Sequence, residues 1–170
     1  KKELIKSGYF YFDYLKEKII SQIIPDEILI APSWNYNQKY FMNENLEMII
    51  QNVLQKGFKV RFSPHPENFK RSQKKIKNIS DKFKNDAFIL DDSQENKNAM
   101  EKAKCLITDN SGIAIEYILL FKRPVLYFED VEKIHNKEFD RNTDLITIED
   151  TVKKTFGFSF KKDEIKILDL

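Results

Sequence analysis

Cysteine, histidine, glycine and arginine are all scarce in this 170-residue chain, and each shortage removes a class of function. The one cysteine, Cys105, can form neither an internal disulfide nor a cysteine-based zinc site. The chain accordingly reads as intracellular. Two histidines, His65 and His135, are too few for a metal site built on histidine alone. Four glycines, at positions 8, 57, 112 and 157, stand too far apart for a G-x-G-x-x-G fingerprint or a Walker A loop. No apolar run reaches the roughly 20 residues that a membrane-spanning helix needs. Neither sign of charge dominates: 29 Lys and Arg against 27 Asp and Glu leave a net charge of +2, so no nucleic-acid partner is expected. Only four of the basic residues are arginine, at 61, 71, 123 and 141.

What remains is ample material for one core. Hydrophobic residues make up 41% of the chain and charged residues 33%, and the length fits a single domain over 1–170. The chain opens on Lys1-Lys2 without a methionine, so a piece of a longer, two-domain protein is expected. Along it, short apolar runs alternate with helical periodicity. A helix is expected from about Phe10, stopped by Pro25, and a strand at 27–32. Next come a helix over 44–55 closed by Gly57, a strand at 58–62 and a Lys-rich helix over 67–83. A strand at 87–90 follows, then a helix capped by Ser93 and running to about 104, a strand at 105–109, a helix at 113–121 and a strand at 124–128. Beyond Glu129 the pattern is weakest over 130–170, where a strand at 144–148 and a short helix at 150–156 are expected. Strands that alternate with helices imply an α/β domain, a Rossmann-like parallel sheet covered on both faces. Ligands of such sheets sit at the carboxyl ends of the strands, which directs attention to three loops.

Thr108-Asp109-Asn110-Ser111-Gly112 lies between a strand and a helix, where free N–H groups and the helix dipole favour phosphate. The plainer alternative is an ordinary N-cap. Glu116, one turn into that helix, can meet a ribose diol or serve as one more solvated charge. His65, held between Pro64 and Pro66, sits where a rigid acid, base or phosphate contact would be mounted, or is a surface residue in a turn. Pro32, Ser33 and Trp34 form the third loop; Trp34 lines a base or sugar pocket or plugs the core. Arg61 pairs with an acidic neighbour or with a ligand. The basic face with Lys70, Arg71, Lys74, Lys75 and Lys77 touches an anionic polymer or lipid, or is simply solvated. No metal and no cofactor is expected.

The order of these motifs carries a resemblance. Ile28-Leu29-Ile30-Ala31-Pro32-Ser33-Trp34, Phe62-Ser63-Pro64-His65-Pro66, Leu106-Ile107-Thr108-Asp109-Asn110-Ser111-Gly112 and Phe121-Lys122-Arg123-Pro124-Val125-Leu126-Tyr127 form a series. Together with the opening Gly8-Tyr9 and Asp13-Tyr14-Leu15, it resembles the C-terminal half of the CDP-glycerol glycerophosphotransferases, the teichoic acid primases and polymerases. The resemblance implies the nucleotide-binding half of a GT-B enzyme that transfers glycerol phosphate from CDP-glycerol to a polymer or lipid-linked acceptor in cell-wall or capsule synthesis. It implies a cytoplasmic site, peripheral on the inner face of the membrane through the parent protein. By position His65 matches the family's His-Pro histidine beside the donor phosphates. Thr108, Asp109 and Ser111 match its Thr-Asp-Tyr-Ser-Ser turn. Asn110, Gly112 and Glu116 depart from that pattern toward the Thr-Asp-Ser-Gly-Gly-x-x-Glu-Glu of non-hydrolysing UDP-N-acetylglucosamine 2-epimerases. A UDP-sugar enzyme of the same fold is therefore the first alternative, and a non-catalytic nucleotide-sugar binding module the second.

Overall fold

The computed structural model describes residues 3, 6–19, 23–34, 41–93, 96–129 and 146–167. Residues 35–37, His135 and Arg141 lie outside them. Six parallel strands form one sheet: β1 (Glu27–Ile30), β2 (Lys59–Phe62), β3 (Phe88–Leu90), β4 (Ala103–Thr108), β5 (Val125–Phe128) and β6 (Gly157–Phe160). Their order is β3-β2-β1-β4-β5-β6. The chain builds outward from β1 on one side, returns to its other side with β4 and builds outward again. The strand order thus reverses between β1 and β4, where an open α/β sheet leaves its crevice.

Strand alternation divides the core. Ile28, Ile30, Val60, Phe62 and Ile107 face α2 (Glu44–Gln55) and α4 (Gln73–Lys82), which contribute Leu46, Ile49, Ile50, Val53, Ile76 and Ile79. Leu29, Leu106, Val125 and Tyr127 face α5 (Asn96–Lys102) and α6 (Ile113–Phe121), which contribute Ala99, Met100, Ala114, Tyr117 and Ile118. All four residues of β1 are buried, as a central parallel strand requires. An outer helix, α1 (Phe10–Glu17), packs against α6.

Local chemistry sets the boundaries. In α2 the Asn43 side chain accepts the Asn45 N–H at 2.8 Å, and Gly57 takes φ +83 just past the helix end. The stretch expected as one helix over 67–83 is two, α3 (Pro66–Arg71) and α4, broken where Ser72 leaves helical geometry at φ −129 and ψ 28. Ser93 does not cap α5; its hydroxyl and its amide donate to Asp91.

The expected strand at 144–148 is corrected. Residues 144 and 145 lie outside the described set. Thr147 is the N-cap of α7 (Ile148–Phe156) and accepts the Asp150 N–H at 3.1 Å, and Ile146 and Ile148 are 67% and 64% exposed. The sixth strand is instead Gly157–Phe160, followed by a 3₁₀ helix, Lys162–Ile167. Glycine is needed at 157: a Cβ there would stand 2.3 Å from the Tyr127 ring and 2.9 Å from the Lys153 carbonyl oxygen.

Among the described arginines, two serve the fold directly. Arg61 is clamped by Glu27 at 2.5 and 3.0 Å and by Asp91 at 3.2 Å, so it pairs with acidic neighbours across three strands. Arg123 donates to the carbonyl oxygens of Glu101 and Ala103 at 2.8 and 2.6 Å, closing the end of α5.

Candidate functional site

The loops after β1, β2 and β4 open at the same edge of the sheet, because all three strands are parallel. β2 and β4 flank β1, so their ends lie about 10 Å apart at the spacing of paired strands. The loops that carry His65, Pro32–Trp34 and the 108–112 turn therefore lie at one edge of the sheet, in the order β2, β1, β4.

Two residues of the turn bind the sheet together. Thr108, fully buried, donates its hydroxyl to the Ala31 carbonyl at 2.6 Å. Asp109, 1% exposed, accepts the Ser33 amide at 2.8 Å and the Ser33 hydroxyl at 2.6 Å. The three residues after them come to the surface: Asn110 and Ser111 are half-buried and Gly112 is exposed. The first turn of α6 is tight, with Ala114 N–H donating to the Ser111 carbonyl at 3.1 Å and Ile115 N–H to that of Gly112 at 3.0 Å. Gly112 is the N-cap, and no side chain caps the helix. A Cβ built on Gly112 would meet nothing within 4 Å. The plainer alternative, an ordinary side-chain N-cap, is thus not what forms: this helix start has no side-chain cap, and its positive end lies at the strand-end edge of the sheet.

His65 is exposed, with its backbone set by Pro64 and Pro66. It is the N-cap of α3, and its Nδ1 accepts the Glu67 N–H at 3.1 Å. An accepting Nδ1 carries no proton, so the neutral ring holds its proton on Nε2. Trp34 is half-buried, with the Arg71 guanidinium 5.5 Å from its ring centroid, so it is not a plug of the core.

Glu116 stands one helical turn beyond Gly112. The Tyr9 hydroxyl donates to its Oε1 at 3.3 Å. Burial raises its pKa above the ordinary carboxylate value, and the Tyr9 hydrogen bond offsets part of that rise. Glu116 lies in the wall of a cavity of about 390 Å³ that is also lined by Tyr11, Tyr14 and Leu15 of α1, and by Asn96, Lys97 and Met100 of α5. Sequence reasoning missed this cavity. The i, i+3 spacing of Tyr11 and Tyr14 was its one local signal. Their rings lie near-parallel, 6.1 Å apart.

A six-stranded parallel sheet in this order, with an uncapped helix start at the reversal point and a carboxylate one turn along, defines a Rossmann-like nucleotide-binding domain. The chain belongs to the CDP-glycerol:poly(glycerophosphate) glycerophosphotransferase family, whose model matches residues 3–144. No curated protein matches it. Among solved structures, UDP-GlcNAc 2-epimerase from Methanocaldococcus jannaschii is 17% identical over 94% of this chain and 41% of its own, at TM-score 0.53. The E. coli heptosyltransferase WaaC with ADP is 11% identical over 75% of this chain and 39% of its own, at TM-score 0.51. The wall teichoic acid polymerase TagF is 21% identical over 79% of this chain and 30% of its own, at a TM-score of 0.42, too low to add to the fold argument. The first two likenesses agree with a GT-B-type fold. The chain spans about two fifths or less of the length of each. No helix among the described residues is long and apolar enough to cross a membrane.

Proposed function

We propose that this domain holds the nucleotide of CDP-glycerol for a transferase that passes glycerol phosphate to a hydroxyl of a polymer or lipid-linked acceptor. The observation that carries the reading is the open start of α6 at the strand-order reversal, with free space at Gly112 and Glu116 one turn further on. The diphosphate meets the Ser111 hydroxyl and the amides that open α6. Asn110 borders it, while Thr108, Asp109 and Ser33 hold the turn in shape. One helical turn, about 5.4 Å, carries the ligand from the phosphates to the ribose, so the ribose diol donates to the Glu116 carboxylate. The base then enters the cavity between α1 and α5. Pro32 and Trp34 bound the crevice on the side of His65.

In the reaction the acceptor hydroxyl attacks the β-phosphorus through its oxygen and gives up its proton to water. The bond from that phosphorus to the bridging oxygen breaks, and the bridging oxygen leaves with CMP. His65 donates its Nε2 proton in a hydrogen bond to the departing phosphate. The α6 dipole stabilises the same charge. Positioning and electrostatics supply the rate, as phosphoryl transfer requires. The acceptor is met at the cytoplasmic face of the membrane, where the rest of the protein holds the enzyme peripherally.

A UDP-sugar enzyme is the second reading, favoured by Gly112 in the turn and Glu116 in α6. Transfer of label from CDP-glycerol by the full natural chain tests the first. Turnover that falls in Ser111→Ala and His65→Ala supports it. Binding of UDP in strong preference to CDP, without transfer of glycerol phosphate, supports the second. Nucleotide binding without turnover of any donor leaves a binding module.

A further inference from the structure

The chain carries a net charge of only +2, yet its positive charge is concentrated in one place. Between residues 66 and 84, which cover α3, α4 and the two positions after them, seven Lys and Arg stand against two carboxylates, Glu67 and Asp81. The rest of the chain is correspondingly acidic. Some of these cations are used internally. Glu67 pairs with Lys70 at 2.7 Å and with Arg71 at 3.1 Å, and Glu47 pairs with Lys82 at 2.6 Å. Lys74, Lys77 and Lys84 are exposed and enter no ion pair among the described residues.

The helices turn their apolar residues inward: Ile76, Ile79 and Phe83 are buried. No large hydrophobic side chain is exposed between 66 and 84, whereas such residues occur elsewhere on the molecule, as at Phe10, Leu119 and Phe158. Cations alone bind an anionic bilayer only weakly, at about 1 kcal/mol each, and firm seating adds apolar side chains that enter the headgroup region. This face carries Lys74, Lys77 and Lys84 with one exposed carboxylate, Asp81, and no exposed large apolar side chain, which suits a hydrated polyanion. Its position is specific as well, because α3 begins at His65. A polyanion lying along α4 and α3 brings its end to that imidazole.

We propose that the α3–α4 face is the track for a phosphodiester-linked acceptor polymer, with its growing hydroxyl end at His65 and its earlier phosphates along Lys74, Lys77 and Lys84. The proposal rests on the glycerophosphotransferase reading. Lys74 and Lys77 lie about one helical turn apart, roughly 5 Å along the axis, a separation that successive phosphodiesters joined through three-carbon units can match. The track selects acceptors by length and charge, and it leaves donor binding to the other side of the crevice.

The test uses the full natural chain with CDP-glycerol as donor and two acceptors, a long poly(glycerol phosphate) and a short glycerol-phosphate primer. K74E/K77E/K84E is expected to raise KM for the long acceptor about tenfold or more at low salt. Donor KM, and kcat and KM with the short primer, stay unchanged. Added salt raises the wild-type KM for the long acceptor and leaves that of the variant nearly flat. K74Q/K77Q/K84Q shifts it in the same direction by less. An unmoved long-acceptor KM overturns the track, and so does an equal rise for both acceptors. Loss of sedimentation with anionic phospholipid vesicles, at unchanged long-acceptor KM, overturns it in favour of a membrane surface. Absence of transfer to either acceptor by the wild type overturns the donor reading, and the track falls with it.

Discussion

Asp109 and Ser33, 76 residues apart in sequence, join the ends of β4 and β1 through two hydrogen bonds, at 2.8 and 2.6 Å. The contact closes the sheet where its strand order reverses, directly beneath the proposed phosphate seat. Asp109→Ala removes both acceptors and leaves the Ser33 amide and hydroxyl buried without partners. An expected loss of about 2–3 kcal/mol follows from the desolvation of such groups. Urea unfolding followed by circular dichroism measures it. A variant as stable as the wild type would mean that the contact contributes nothing to closing the sheet.

Glu116 gives the domain a pH dependence of definite sign. Burial holds its folded pKa above the ordinary value. Its protonated form is therefore favoured by folding, and that contribution fades as pH rises through the folded pKa. Glu116→Gln is expected to be more stable than the wild type at neutral pH, with the difference closing below the ordinary carboxylate range. Thermal melts across pH measure this. For binding the sign reverses, since only the ionised carboxylate accepts both ribose hydroxyls. Nucleotide affinity is expected to fall on acidification at a higher pH than an exposed glutamate would give. A stability difference independent of pH would remove the titration from the account.

Tyr9 places a phenol hydroxyl on the Glu116 oxygen that the ribose is proposed to use. Tyr9→Phe vacates that oxygen. Nucleotide affinity should rise, and affinity for a 2′,3′-dideoxy nucleotide should stay where it is. Equal changes for both ligands would place the effect of Tyr9 elsewhere.

Cys105 is buried, and loss of solvation pushes its thiol pKa up to about 12. Thiolate is scarce at mild alkaline pH under those conditions. A thiol-specific reagent at pH about 8 is expected to label the chain only after denaturant unfolds it. Rapid labelling of the native protein would contradict the position of Cys105 within β4.

Much of this architecture was legible because parallel strands buried on both faces leave continuous apolar runs, as at Ile28-Leu29-Ile30 and Leu106-Ile107. The helix break at Ser72 was not, because the lysines and glutamine around it are good helix formers and the break is set in three dimensions. The last strand was misplaced because Ile146 and Ile148 mimic strand alternation, while the cap formed by Thr147 and Asp150 starts a helix there. In the site, the turn now proposed to hold phosphate was legible as a strand followed by Ser-Gly and a helix. The inward engagement of Thr108 and Asp109 could not, since it depends on which strand lies beside β4. The wall contributed by Tyr11 and Tyr14 depends in the same way on where α1 docks.

The most direct measurement is calorimetric titration of CDP into the full natural chain and its Ser111→Ala variant, paired with urea unfolding of both. The Ser111 side chain makes no cap in the folded domain, so stability should be unchanged within about 0.5 kcal/mol, as for surface substitutions. Affinity should fall about tenfold from the loss of one hydrogen bond to a charged phosphate. Equal CDP affinity in the two proteins would contradict a diphosphate seated at the start of α6.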